Sequence, residues 1–110
     1  MENVLALPDD GPLIDGERAA VDVLGEAFGA GADTVVVPVA RLSPDFFVLR
    51  TGVAGAITQK FVQYGIRLVV LGEPTAVAGP VADWTREANR GRELWFVTDR
   101  ADLEDRLARG

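Results

Sequence analysis

The hydrophobic positions between Val53 and Leu71 change period once, and that change predicts a helix followed by a strand. Val53, Ile57, Phe61 and Tyr64 stand at i, i+4, i+8 and i+11, the spacing of one α-helical face turned toward a core. The remaining surface holds Gly52, Gly55, Ala56, Gln59 and Gln63, small at first and amide-bearing later, so a neighbour can approach the first turn closely. Gly65 supplies the C-terminal stop. Ile66, Leu68, Val69, Val70 and Leu71 then run almost without a polar break, as in a strand covered on both faces of a parallel sheet. Upstream, Ser43, Pro44 and Asp45 form a breaker cluster, because proline fixes its own φ and drives the preceding residue out of the helical region.

The rest of the chain alternates in the same way. Asn3 to Leu7 reads as a first strand, and Pro8, Asp9, Asp10, Gly11 and Pro12 turn it. Leu13 and Ile14 suggest a brief second strand before Asp15, an expected N-cap with Glu17 in the first turn. Ala20, Val23, Leu24, Ala27 and Phe28 share the inner face of the first helix, which ends at Gly29 and Gly31. Thr34, Val35, Val36, Val37 and Val39 are a buried strand by composition. Pro38 cannot donate to a ladder, so pairing is expected to fail on one side there.

Gly72, Glu73 and Pro74 make a turn, and Thr75 to Gly79 carries no assignable pattern. A helix is expected from Pro80, with Val81, Trp84, Thr85 and Ala88 inward and Gly91 as its stop. Leu94, Trp95, Phe96 and Val97 read as the last strand. Thr98 or Asp99 then caps a terminal helix that turns Leu103 and Leu107 inward. This order predicts one α/β domain over residues 1–110, a mostly parallel sheet of about four or five strands packed with about four helices through right-handed crossovers. Ligands of such sheets sit beyond the carboxyl ends of the strands, where the Arg41 to Thr51 and Gly72 to Gly79 loops arrive.

Composition narrows the chemistry. At 110 residues and 25% charged, the chain fits one soluble domain, and it holds neither a membrane-spanning apolar run nor a signal-peptide pattern, so the expected location is cytoplasmic. Zero cysteine and zero histidine remove thiolate and imidazole chemistry, and with them the commonest metal ligands and general base. No catalytic residue, metal or cofactor is assigned. A net charge of −6 with eleven scattered Lys and Arg residues argues against a nucleic-acid partner.

Two readings stand for Thr51. Its hydroxyl caps the middle helix, satisfying an orphan backbone donor; or, in addition, free N–H groups of Gly52 and Val53 together with Arg50 hold a small anion, or a phosphate on Thr51 itself. Gly52 and Gly55 read first as packing glycines, since no Walker or GxGxxG pattern surrounds them. Gln59 and Lys60 read as solvated, unless Lys60 curls toward Asp45. Glu87 and Asn89 read as groups bonding near the Gly91 terminus, the exception being a buried Glu87 paired with Arg50. Asp45 is expected to make an Asx-type turn. Phe46, Phe47 and Trp84 read as core, although an exposed Phe46 or Phe47 beside Tyr64 would mark an interface.

Pro44, Asp45, Phe46, Phe47, Leu49, Arg50, Thr51, Gly52, Ala54, Gly55, Gln59, Lys60, Phe61, Tyr64, Gly72, Glu87, Asn89, Gly91 and Phe96 follow a pattern that resembles the bacterial domain of unknown function 4180 family, over about Thr34 to Val97. That resemblance implies no assigned activity. The chain departs from the pattern at Ala56 and around Pro38, where the family has acidic residues, and in a shorter N-terminal region, so a carboxylate-dependent family activity would be lost here. The element order is also similar, in topology, to STAS domains of anti-sigma-factor antagonists, in which a hydroxyl-glycine pair such as Thr51-Gly52 opens the helix after a central strand.

The leading expectation is a non-enzymatic binding or regulatory domain that uses Asp45 to Gly55, with Gln59, Lys60, Glu87 and Asn89, for a protein partner or a second copy of itself. The alternative is a small-molecule site or enzyme in which Arg50 and the helix terminus hold a carboxylate or phosphate and Asp45 or Glu87 acts as base, which requires these groups to converge on a pocket.

Overall fold

The computed structural model describes residues 3–72 and 80–109. Strands β1 (Val4–Ala6), β2 (Thr34–Pro38), β3 (Arg67–Leu71) and β4 (Leu94–Val97) alternate with helices α1 (Glu17–Ala30), α2 (Val53–Gln63), α3 (Pro80–Asn89) and α4 (Arg100–Arg109). The strands are all parallel and lie in chain order β1-β2-β3-β4, with Val36 opposite Val69 and Val69 opposite Trp95 at the centre. Because each crossover steps to the next strand with the same hand, α1, α2 and α3 fall on one face of the sheet.

The core follows that layout. Ala20, Val23, Leu24 and Ala27 of α1 and Ala54, Ile57 and Phe61 of α2 pack on Val35, Val37, Leu68, Val70 and Leu94, with Trp84 and Ala88 of α3 against them. On the opposite face Val36, Val69, Trp95 and Val97 meet Leu103 and Leu107 of α4. Alternate residues of β2 and β3 thus face different layers, and each buried aliphatic side chain stabilises the fold by about 1.5–3 kcal/mol. The continuous Val run needed that two-sided cover.

Local chemistry fixes the ends. Gly31 and Gly65 adopt left-handed φ of 67° after α1 and α2, and Ala32 N–H donates to Ala27 O while Ile66 N–H donates to Phe61 O, closing both helices with Schellman bonds. Thr34 N–H donates to Asn3 O and Leu7 N–H to Val36 O, so Thr34, Val36 and Pro38 turn their backbone toward β1. The donor that Pro38 lacks therefore points past the end of β1, while its strand keeps Leu71 as neighbour on the other side. Asp99 caps α4, its carboxylate accepting from Asp102 N–H at 2.8 Å, and Asp102 accepts in return from Thr98 N–H.

Several expectations are corrected. The brief strand at Leu13 and Ile14 is a single parallel bridge from Ile14 to Leu42. The residue before α1 is Gly16 in extended conformation, and no side chain caps that end. Phe28 leaves the inner face of α1 and is 55% exposed, its ring meeting that of Tyr64 edge-on at 5.6 Å. The side chain of Val81 and the loop at 73–79 lie outside the described residues. Among the described residues, no helix is long and apolar enough to cross a membrane.

Candidate functional site

Where β2 ends, the chain reaches α2 through three 3-10 turns, Val39–Arg41, Pro44–Phe47 and Leu49–Thr51. The Ser43 hydroxyl accepts from Asp45 N–H at 3.3 Å and starts the second turn, with Pro44 at its first position. The side-chain bond expected of Asp45 is thus made by Ser43, and the carbonyl of Asp45 accepts from Val48 N–H and from the Thr51 hydroxyl. Phe46 is fully buried and stacks with Phe47 at 5.1 Å and Trp84 at 5.7 Å, and Trp84 meets Phe96 at 5.0 Å. The diaromatic is core, which removes the exposed patch that an interface over Phe46 would need. The side chain of Leu49 lies outside the described residues.

Thr51 staples the last turn to the helix. Its hydroxyl shares a hydrogen between Val48 O at 2.7 Å and Asp45 O at 2.9 Å, and accepts from Val53 N–H at 3.3 Å. Val53 N–H, expected free for an anion, is therefore engaged. Gly52 is the formal N-cap, at φ 75° and ψ 0°, a left-handed conformation that a Cβ disfavours. Thr51→Ala and Gly52→Ala are each expected to lower stability by about 1 kcal/mol, with Thr51→Ser near wild type, as read by urea denaturation. A Gly52→Ala protein as stable as the parent would show that the left-handed turn does not form.

Beyond this turn the exposed side of α2 faces α3 across a groove. Gly52, Ala54, Gly55, Thr58, Gln59 and Val62 line one stretch of about 440 Å³ with Trp84 and Glu93. The adjoining stretch of about 540 Å³ is lined by Thr58, Trp84, Glu87, Ala88, Arg92 and Leu94, among others. Thr58, Trp84 and Glu93 belong to both, which makes the groove continuous. A Cβ at Gly55 would meet nothing within 4 Å among the described residues, so Gly55 is bare backbone on a groove wall and not a packing glycine there. The Thr58 hydroxyl is shielded from solvent and has no hydrogen-bond partner among the described residues.

Of the residues singled out in the sequence, Gly52, Gly55, Gln59 and Glu87 meet on this groove. Asp45, Arg50 and Thr51 are exposed at its head, next along the chain from Gly52. Lys60 is half-buried and outside the lining, and no described contact joins it to Asp45. Asn89 is structural: its amide donates to Phe96 O at 3.2 Å and accepts from Phe96 N–H at 2.7 Å, clamping α3 to β4. Glu87 is exposed and pairs with Arg90 at 3.7 Å, so the buried pair with Arg50 does not form. Thr58, Arg92 and Glu93 were not foreseen. Thr58 carried a signal, standing three residues after Gly55 and one turn before Val62 on the same side of the helix.

A family model described as Domain of unknown function (DUF4180) matches residues 1–107. The chain belongs to that family. In this DUF4180 domain the match reaches well beyond the Thr34 to Val97 motif region, to include β1, α1 and most of α4. No curated protein and no solved structure matches, so neither comparison supports the STAS-like element order. Ala56, where the family pattern suggested an acidic residue, is half-buried and outside the groove lining.

Proposed function

We propose that this DUF4180 domain is a small non-enzymatic binding and regulatory module that takes a segment of a partner polypeptide along the α2–α3 groove. The observation that carries this reading is the Thr58 hydroxyl, a buried oxygen with no partner among the described residues, on the wall shared by both stretches of the groove. An unsatisfied group of that kind costs about 1–3 kcal/mol. Its retention is explained when an occupant displaces the side chains that cover it and supplies the missing bond.

The shape favours a polypeptide over a compact metabolite. α2 has 11 residues, about 16 Å of wall, and the groove is open along it, whereas a metabolite is usually enclosed on most sides. Bare backbone at Gly52 and Gly55 allows close approach, and Gln59 and Glu87 offer hydrogen bonds along the rim. The exposed Asp45, Arg50 and Thr51 extend this surface at its head. A second copy of the chain as occupant would make the domain a homodimer. The alternative with Asp45 and Glu87 as bases around Arg50 gains no support, because neither Asp45 nor Arg50 lines the groove stretch that holds Glu87.

A photocrosslinking residue at Gln59, introduced in cells that make the protein naturally, tests the reading against the same residue at Arg18 on α1. A discrete polypeptide adduct from position 59, absent from position 18 and lost with Gly55→Leu, is expected. An adduct at twice the monomer mass would identify a second copy as the occupant. Equal adducts from both positions, or an adduct indifferent to Gly55→Leu, would overturn the groove as the binding surface. Thr58→Val is expected to stabilise the isolated domain by about 1 kcal/mol while lowering adduct yield, since valine keeps the shape and discards the unpaired oxygen. Marked destabilisation instead would mean that the hydroxyl is satisfied within the domain.

A further inference from the structure

Four of the eleven basic residues, scattered along the sequence, gather in space. Arg90, Arg92, Arg106 and Arg109 line a hollow of about 220 Å³ with Gly91 and Trp95, on the far side of the α3–β4 turn from the groove. The floor is fixed. Trp95 is 1% exposed, its indole N–H donates to Gly91 O at 2.8 Å, and Arg67 and Arg106 lie over its ring at 4.0 Å and 4.6 Å. Arg106 also donates to Asn89 O, and Arg67 Nε donates to Arg92 O at 2.7 Å, which ties the turn to β3.

Among the described residues the charges do not cancel. Glu87 lies 3.7 Å from Arg90 and Asp105 2.6 Å from Arg109, so the four lining guanidiniums meet two paired carboxylates. Glu93 is the nearest further acid along the chain, and it lines the groove and not this hollow. A positive excess held in one place on a chain of net charge −6 attracts anions, and guanidinium forks suit the paired oxygens of a phosphoryl group. Contacts of Arg106 with Trp95 and Asn89 O and of Arg109 with Asp105 reduce the freedom these two side chains lose on binding.

We infer that this arginine hollow is a binding site for a small multivalent oxyanion of the phosphate class, pyrophosphate-like in charge and size. Nucleic acid fits less well. Trp95 is too deeply buried to offer its ring to a base, and the cations form a hollow and not a track along a backbone.

Calorimetric titration of the whole chain with sodium pyrophosphate at low salt, with sodium chloride as control, tests this. Pyrophosphate is expected to bind more tightly than inorganic phosphate and to shift the Trp95 indole N–H resonance. Arg92→Gln and Arg109→Gln, both exposed side chains that folding does not need, are each expected to weaken it about three- to fivefold, and Arg18→Gln to leave it unchanged. No heat with millimolar pyrophosphate, equal weakening by Arg18→Gln, or indifference to both Arg92→Gln and Arg109→Gln would overturn the site. A single-stranded oligonucleotide that bound more tightly than pyrophosphate, with the same arginine dependence, would overturn the small-ligand assignment in favour of nucleic acid.

Discussion

Arg41→Ala is expected to lower the unfolding free energy by about 3 kcal/mol, a large loss for one polar side chain. Arg41 is 8% exposed, and its partners are main-chain carbonyls: Nε donates to Pro12 O at 2.9 Å, and Nη1 to Pro8 O at 3.1 Å and Asp10 O at 3.3 Å. These carbonyls belong to the loop between β1 and α1, where two prolines offer no N–H. A bond from a charged donor contributes about 1.5–3 kcal/mol, but the loop can peel away and recover water when the guanidinium is gone, so the total stays near the value of one or two such bonds. The backbone of Arg41 keeps its bond from Ile14 N–H at 2.7 Å in any variant. Lysine should restore only a small part, since one ammonium cannot span three acceptors. Gly11→Ala should mimic the loss, because a Cβ there would stand 2.8 Å from Arg41 Cζ at a φ of +138°. Urea midpoints with unchanged slope measure all three, and a cost below about 1 kcal/mol for Arg41→Ala would mean that the side chain behaves as an exposed one.

Arg41 also shows what the sequence conceals. A lone arginine after a Val-rich strand looks like any loop arginine, because its carbonyl partners lie about thirty residues away and backbone acceptors leave no residue-type signature. The strands and helices were legible for the opposite reason. β2 and β3 are apolar throughout because both faces are covered, and the periods of α1 and α2 sum over many positions. Phe28 misled because it shares the i, i+4 stripe with Leu24, yet it lies in the last turn of α1, where its ring is exposed and meets Tyr64.

The site was half legible. Gly52, Gly55 and Gln59 were readable as one small, polar side of a helix, and a groove needs such a side. What α3 contributes depended on tertiary placement: Trp84 reads as core from its size alone, and it is both core and groove wall. The arginine hollow is farther from the sequence still. Arg90 and Arg92 lie in the turn after α3 while Arg106 and Arg109 lie in the last turn of α4, and the indole of Trp95 together with the bond from Arg106 to Asn89 O brings the two pairs together.

Phe46→Ala is expected to be the most damaging substitution in the loop region, at about 4 kcal/mol. Its ring is 0% exposed, locked by Phe47 and Trp84, and it anchors the 3-10 turns that set where α2 begins. Removal leaves a ring-sized cavity whose walls are tied down: Ser43 and Thr51 hold the turns by side-chain bonds, and Trp84 is held in turn by Phe96. The lost transfer free energy is therefore joined by a cavity cost that relaxation cannot recover. Leucine should return roughly half, while Phe28→Ala on the exposed aromatic pair should stay within about 0.5 kcal/mol. The variant also separates stability from recognition. Because Trp84 is common to the Phe46 cluster and the groove, Phe46→Ala should loosen the wall and weaken capture at Gln59 while, where the occupant is a different polypeptide, leaving the sedimentation behaviour of the purified chain unchanged. A mild stability loss accompanied by a change in association state would place Phe46 at a surface between copies, against its reading as core from the sequence and its burial in the fold.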